Sequence, residues 1–391
     1  MSLINTPSAE RVHVGFFGLR NAGKSSLVNA LTGQSLSIVS DTPGTTTDTV
    51  QKAMELLPLG PVVLLDTPGL DDEGELGLLR VKAAYKALAK TDLVVFVTDA
   101  ARERTKEEKA FLARLKSEGK PTLLVYNKCD LTPLRPEDGI SVSAESGEGI
   151  DALKAAIAAH APREEKYILR DLVGQGDVVL LVTPIDASAP KGRIILPQQQ
   201  TLRELLDLHA IPLFCQPEEV STTLAALSAP PRLVVTDSQA FSAVARDLPE
   251  EIALTSFSIL FARYKGDLPA LVRGAAAIRS LSDGAKVLVS EGCSHHRQCG
   301  DIGTVKLPAA IRRLTKKELA FSFTQGGDFP EDLTPYSLVI HCGGCMLPES
   351  EVQSRAKRAA SQGVPMTNYG IALALASGIL PRALKPLGIE I

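Results

Sequence analysis

Aromatic residues make up only 4% of this chain, and no long run of lysine and arginine appears in it. A dedicated nucleic-acid binder usually carries a basic stripe. With 42 basic against 45 acidic residues and a net charge of −3, nucleic acid is not expected as a partner. Nor does the chain contain a stretch of about 18 uncharged apolar residues, so no transmembrane helix, and no membrane partner, is expected. Met1 to Arg11 is polar and lacks the apolar core of a signal peptide, which makes a cytoplasmic location the expectation. Six cysteines in 391 residues are too few for a disulfide framework and read as reduced thiols or metal ligands.

What is present suffices for ordinary globular cores: 45% hydrophobic and 22% charged residues, with a mean hydropathy of +0.09. The length argues for two or three domains. Apolar β-type runs alternate with helical patterns along the whole chain, the mark of α/β architecture with mainly parallel sheets. The expected organisation is a larger α/β domain at 1–165, then two smaller α/β domains at 171–266 and 267–391. In the middle segment Ile194–Leu196 reads as a short strand between Pro184 and Pro197, and no catalytic constellation stands out there.

Gly18-Leu-Arg-Asn21-Ala22-Gly23-Lys24-Ser25 fits the P-loop pattern. It follows an apolar strand, Val12–Phe17, and opens a helix that continues through Ser26, as the motif requires. Glycines let backbone N–H groups wrap phosphates, and the helix N-terminus adds partial positive charge. Lys24 is expected on the β- and γ-phosphates and Ser25 on magnesium. Asp66-Thr-Pro-Gly69 ends a second strand: Asp66 suits the magnesium shell, and the Gly69 N–H suits a γ-phosphate. Thr45 and Thr46 lie between the two motifs, with Thr46 expected as a further magnesium ligand. Asn127-Lys128-Cys-Asp130 ends another strand. A buried carboxylate at Asp130 can accept from both guanine N1–H and the exocyclic amine, which adenine does not offer, so it would discriminate by roughly 10⁴-fold. Ser143-Ala144-Glu follows the next strand, where the Ala144 N–H can reach the guanine O6. Four motifs in order, each at a strand end, imply GTP binding and hydrolysis to GDP and phosphate.

Leu70 occupies the position after Gly69 where Ras-like enzymes carry a water-orienting glutamine. Something else must therefore assist hydrolysis. These motifs resemble the branch of GTPases that includes the tRNA-modifying MnmE and the ribosome-associated Era. In MnmE-like members an asparagine three residues before the P-loop lysine helps bind potassium. That resemblance points to Asn21 and to potassium-stimulated turnover; the alternative for Asn21 is a loop-stabilising side chain.

The last segment holds Cys293-Ser-His295-His296 after one strand and His341-Cys342-Gly-Gly-Cys345 after another. Parallel strands bring both groups to one sheet edge. C-x-x-C spacing lets two thiolates grip one centre, and the glycines permit the tight turn. Zinc and an iron–sulfur cluster fit equally by spacing. Cys129 and Cys215 read as packed thiols.

A GTPase with a C-terminal C-x-H … H-C-x-x-C signature resembles the HydF family of FeFe-hydrogenase maturation scaffolds. The correspondence runs through Cys293, His295, His341, Cys342 and Cys345, with 45 residues between the two histidines. The resemblance implies a dimerisation domain at 171–266 and a homodimer. It also implies a 4Fe-4S cluster at 267–391 held by Cys293, Cys342 and Cys345. Such proteins receive a two-iron precursor from radical-SAM maturases and pass it to apo FeFe-hydrogenase. Cys299 departs from the signature and leaves the fourth ligand open between Cys299, His295, His341 and an exchangeable group. The competing reading is a ribosome- or tRNA-associated GTPase with a structural zinc.

Overall fold

The computed structural model describes residues 7–33, 49–71, 74–162, 166–185, 194–292 and 301–390. Thr45, Thr46, Cys293, His295, His296 and Cys299 lie outside the described residues. The chain forms two compact units, Met1–Glu164 and Glu165–Ile391.

The first unit contains strands β1 (Val12–Phe17), β2 (Val50–Leu56), β3 (Gly60–Asp66), β4 (Leu93–Asp99), β5 (Thr122–Asn127) and β6 (Ile140–Ser141). Its helices are α1 (Lys24–Thr32), α2 (Gly74–Lys90), α3 (Lys106–Ser117) and α4 (Ile150–His160). The strands lie in the order β2-β3-β1-β4-β5-β6, and every pairing is parallel except β2 with β3. The central strands read as near-continuous apolar runs because helices cover both faces. Val14, Phe16, Val62, Leu64 and Val95 pack with Leu27, Val28, Leu153 and Ile157 on one side. Phe17, Val94 and Phe96 pack with Ala84, Leu88, Phe111 and Leu115 on the other. Strand β2, absent from the sequence expectations, alternates half-buried and exposed positions. Its Gln51, Lys52 and Glu55 mask the apolar half of the pattern.

The second unit holds two further sheets. The first is formed by β7 (Val178–Val182), β8 (Ile211–Cys215), β9 (Leu233–Thr236) and β10 (Leu254–Ser256), with helices α5 (Leu196–Asp207), α6 (Val220–Ala226), α7 (Phe241–Asp247) and α8 (Phe257–Lys265). The second is formed by β11 (Lys286–Glu291), β12 (Ala320–Gln325), β13 (Leu338–His341) and β14 (Met366–Asn368). Its helices are α9 (Leu268–Ala276), α10 (Leu307–Thr315), α11 (Glu349–Ser361), α12 (Tyr369–Ala376) and α13 (Leu380–Leu384). The orders are β10-β9-β7-β8 and β12-β11-β13-β14, all parallel. One buried cluster joins them: Leu180, Val182 and Val234 from the first sheet meet Val287, Val289 and Ile340 from the second, around Ile259, Val272, Ile311 and Ile371. The fold class is α/β, a P-loop-type domain followed by two parallel α/β layers.

The expected strand at Ile194–Leu196 is not formed. Leu196 instead begins α5, with proline in its first turn. Pro197 presets a helical φ and lacks only an N–H that the first turn would leave unpaired. The Gln198 side chain accepts from the Ile195 N–H at 3.0 Å, fixing the start of the helix.

Candidate nucleotide site and cysteine centre

Strands β1, β3, β5 and β6 run the same way, so the four nucleotide motifs all emerge at one edge of the sheet, where open α/β sheets bind ligands. The P-loop geometry demands its glycines. Gly18 has φ +152°, and a Cβ there would stand 2.2 Å from the Val97 carbonyl oxygen. Gly23, at φ +89°, would place a Cβ 2.1 Å from the Asn127 amide nitrogen. Asn21 is exposed and takes a left-handed φ of 61°, a conformation asparagine tolerates better than most residues. Lys24 is 7% exposed. Its ammonium lies inside the loop, donating to the Gly18 carbonyl at 3.1 Å and the Leu19 carbonyl at 2.8 Å. Ser25 and Ser26 open α1 with exposed side chains.

Asp66 ends β3 beside this loop, with the Ser25 hydroxyl near its carboxylate. Burial holds its carboxyl above the usual carboxylate range, opposed by the nearby Ser25 hydroxyl and by the charges of Lys24 and Lys52. Its Oδ1 is buried with no hydrogen-bond partner among the described residues. A buried carboxylate oxygen lacking a donor, next to a serine hydroxyl, is a donor set that fits magnesium. Beyond Asp66 the chain docks on the P-loop. The Thr67 hydroxyl donates to the Phe16 carbonyl at 2.6 Å, the Arg20 N–H to Asp71 Oδ1 at 2.6 Å, and the Leu70 N–H to the Gly18 carbonyl at 3.3 Å. A Cβ at Gly69 would meet the Arg20 backbone at 3.0 Å. The Leu70 side chain packs toward the Phe17–Phe111 cluster, so it offers nothing to a water.

The base-side loops are tied together by Asn127, 2% exposed. It donates to the Ala22 carbonyl at 3.0 Å and accepts from the Ala144 N–H at 3.1 Å. Lys128 has φ 64° and pairs with Asp99 at 2.7 Å. Cys129 is buried at 1% and Cys215 at 8%, and burial pushes both thiols up. The Asp130 side chain is exposed in the structure, where the sequence led to the expectation of a buried carboxylate. Ser143 is buried and accepts from the Ser146 N–H at 3.1 Å, shaping the turn that presents Ala144. The Tyr126 hydroxyl donates to Asp138 at 2.8 Å, and burial together with that bond pushes the phenol up to about 12.

In the second unit β11 and β13 are adjacent and parallel, with Ser290 opposite His341. Gly292, just after β11, and Cys342, just after β13, therefore lie side by side at one end of the sheet. The Cys342 sulfur accepts from the Gly292 N–H at 3.0 Å and the Gly344 N–H at 3.4 Å. Gly344 has φ +62°, the left-handed turn that two cysteines three apart require. Two N–H donors on one sulfur stabilise a thiolate, so this donor set fits a thiolate-bound metal centre. Burial raises the Cys342 and Cys345 thiols above their usual value, with the N–H bonds opposing it.

His341 is 2% exposed, and both its ring nitrogens have protein partners. Nδ1 lies 2.7 Å from the Cys342 carbonyl and Nε2 lies 3.0 Å from the Arg355 guanidinium. Burial, reinforced by Arg355, lowers its pKa to about 4, so the ring is neutral, donating from Nδ1 and accepting at Nε2. Arg355 in turn bonds Glu351 and the Gly326 carbonyl. Among the described residues no three His, Cys, Asp or Glu side chains group closely enough to hold a metal. With both ring nitrogens engaged, His341 does not join Cys342 and Cys345 as a third donor. A largely apolar cavity of about 370 Å³ opens beside Cys342, walled by Ala270, Gly274, Ala356 and Ala360. Arg355, and Lys265, whose ammonium donates to the Cys345 carbonyl at 3.0 Å, are the residues beside this loop that sequence reasoning missed. A lysine ending a helix reads as a solvated partner of the macrodipole, and an arginine in the polar α11 reads as surface.

The first unit has the fold and motif geometry of a P-loop GTPase domain, and the family model described as "50S ribosome-binding GTPase" matches residues 13–128. Curated relatives match here: the tRNA modification GTPase MnmE of Nitrosomonas europaea is 40% identical over 159 residues, covering 38% of this chain and 34% of that protein. The MnmE of Chloroflexus aurantiacus is 38% identical over 154 residues, covering 36% and 33%. The chain thus spans about a third of the length of the curated relatives it matches. The G domain of the T. maritima FeoB iron transporter is similar over 39% of this chain and 99% of that one, at 24% identity and a TM-score of 0.31. The rest of the chain decides the family. The "Hydrogen maturase F dimerization domain" model matches residues 168–266 and the "Hydrogen maturase F tetramerization domain" model matches residues 269–386. Together these two matches cover more than half of the 391 residues, and the chain belongs to the hydrogen maturase F (HydF) family.

No helix among the described residues is long and apolar enough to cross a membrane.

Proposed function

We propose that this chain is a GTP-hydrolysing scaffold in FeFe-hydrogenase maturation. It carries a 4Fe-4S cluster on Cys293, Cys342 and Cys345 and delivers a two-iron precursor, received from radical-SAM maturases, to apo-hydrogenase. The observation that carries the reading is the Cys342 sulfur at the shared end of β11 and β13, accepting two backbone N–H bonds inside a segment that matches a hydrogen maturase model. The cluster would supply iron sites for docking and releasing the cargo. The chain's part is to hold the thiolates and keep them in a partly buried setting.

On the nucleotide side, Gly18, Asn21, Ala22, Gly23, Lys24, Ser25, Ser26, Thr45, Thr46 and Gly69 are assigned to the phosphates. Ser25, Thr46 and Asp66 are assigned to magnesium. Asn127, Lys128, Asp130, Ser143 and Ala144 are assigned to guanine. Leu70 faces a hydrophobic cluster, so the charge that assists hydrolysis is assigned to a potassium ion at Asn21. A homodimer is supported by β8, the terminal strand of its sheet, which carries Ile211 at 49% and Phe214 at 40% exposure. An unpaired apolar edge of this kind invites strand addition.

The test is purification without oxygen, followed by iron, sulfide and zinc assays and EPR of the reduced protein. About four irons and four sulfides per chain, lost in Cys293→Ser, Cys342→Ser and Cys345→Ser alike, supports the scaffold. Zinc without sulfide in a colourless protein rejects it and favours the ribosome- or tRNA-associated reading. For the nucleotide, Asp130→Ala should reduce the preference for GTP over ATP by on the order of 10²-fold.

A further inference from the structure

Helix α8 is pinned between two cores. Ile259 and Ala262 pack into the cluster shared by both sheets of the second unit. Phe257, Leu260 and Phe261 pack into the cluster on the far face of the β7–β10 sheet. The last residue of this helix, Lys265, is 3% exposed. Its ammonium donates to the Gly344 carbonyl at 3.3 Å, the Cys345 carbonyl at 3.0 Å and the Leu347 carbonyl at 2.9 Å. Lys265 lies in the segment matched by the dimerization model, and the carbonyls lie in the segment matched by the tetramerization model.

A trans peptide points its C=O and N–H in opposite directions. With the Gly344 and Cys345 carbonyls turned toward Lys265, the N–H groups of the same two peptide units, those of Cys345 and Met346, face away from it. Cys345 is the residue between these two peptide units. Two peptide units flanking a cysteine are thus held at their carbonyl ends by one ammonium. One residue along, the Gly344 N–H donates to the Cys342 sulfur. The ammonium's charge favours negative charge at the Cys345 sulfur, against the larger, opposing effect of burial.

We propose that Lys265 is a positioning residue for the cysteine centre: it fixes the Cys342–Cys345 loop, whose Gly344 N–H donates to the Cys342 sulfur, and its positive charge raises the reduction potential of the metal centre held there. The proposal rests on the reading of these cysteines as iron ligands. Hydrogen bonds to sulfur and local charge are the levers by which a protein tunes such a centre. Delivered from the end of a doubly anchored helix, the charge makes the loop's state answer to packing in the neighbouring sheet.

The experiment compares full-length wild type, Lys265→Gln and Lys265→Arg. Glutamine keeps an N–H donor without the charge, and arginine keeps the charge. Each is loaded anaerobically with ferrous iron and sulfide and titrated by EPR. The metal-free chains are compared by hydrogen exchange at residues 344–347. Lys265→Gln should take up iron yet be reduced at a more negative potential, at least tenfold in the reduction equilibrium, which is about 59 mV for one electron. Lys265→Arg should stay within threefold of wild type. Exchange at 344–347 should be faster in Lys265→Gln than in Lys265→Arg. Equal potentials in wild type and loaded Lys265→Gln overturn the proposal. So does loss of the fold in both variants, which would make Lys265 a packing residue. If wild type takes up no iron and sulfide, the cluster reading fails by itself. The exchange comparison then decides the loop-fixing role, and unchanged exchange overturns it.

Discussion

Asn127 and Ala22 stand 105 residues apart in the chain, yet the Asn127 amide donates to the Ala22 carbonyl at 3.0 Å. The same side chain accepts from Ala144, so one amide joins the phosphate loop to both base loops. Asn127→Ala removes two buried bonds and leaves a carbonyl and an N–H without their partner. Stability should fall by about 1–3 kcal/mol, and GTP and GDP affinity should fall together because both loops lose their register. Thermal melts and nucleotide titration check this. Wild-type values in both would show that the link does not organise the site.

Turnover should be faster in potassium than in sodium at matched ionic strength. Asn21→Ala should bring the potassium rate down to the sodium rate while leaving GDP affinity within about threefold. Equal rates in the two salts for the wild-type chain would remove the cation from the mechanism.

The β8 edge should be a self-association surface. Phe214→Glu places a charge on an exposed edge strand and should at least halve the sedimenting mass, toward the 41.6 kDa of one chain, with little loss of thermal stability. An unchanged mass would assign the dimer contact to another surface.

Cys299→Ser should retain wild-type iron content and an EPR signal that responds to added imidazole, because a centre that docks and releases cargo needs an exchangeable fourth position. Both nitrogens of His341 are engaged by Cys342 and Arg355. His341→Gln should therefore perturb the loop without removing iron. Loss of the cluster in Cys299→Ser would make that thiol the fourth ligand.

Tyr126 gives a pH test. Its folded pKa of about 12 lies above the ordinary phenol value of about 10. Deprotonation is therefore easier in the unfolded chain. The associated stability is fully present below about pH 10 and is lost as pH rises toward 12. Tyr126→Phe should be less stable at neutral pH, through loss of the bond to Asp138. It should also show a shallower fall in melting temperature above pH 10. Parallel alkaline curves for the two proteins would refute the assignment.

The nucleotide site was legible in sequence because its chemistry is local. Gly18, Gly23 and Lys24 must be contiguous to wrap a phosphate, and each of the four motifs follows a strand whose apolar run announces it. Strand β2 was not legible, since an antiparallel edge strand buries one face only and its charged residues hide the period. Helix α12, Tyr-Gly-Ile-Ala-Leu-Ala-Leu-Ala, was not legible for the opposite reason. It is apolar nearly all round, and a helix buried on every side has no amphipathic period to detect. At the cysteine centre, spacing alone identified Cys342 and Cys345 and left the role of His341 open. Tertiary structure decided that His341 is occupied by Cys342 and Arg355, and that Lys265 stands behind the loop. Those contacts join residues 14 and about 80 positions apart. Nothing in a lysine's immediate neighbours reveals whether it meets water or the carbonyls of a distant turn. That depends on two sheets closing over one core, which only the folded chain determines.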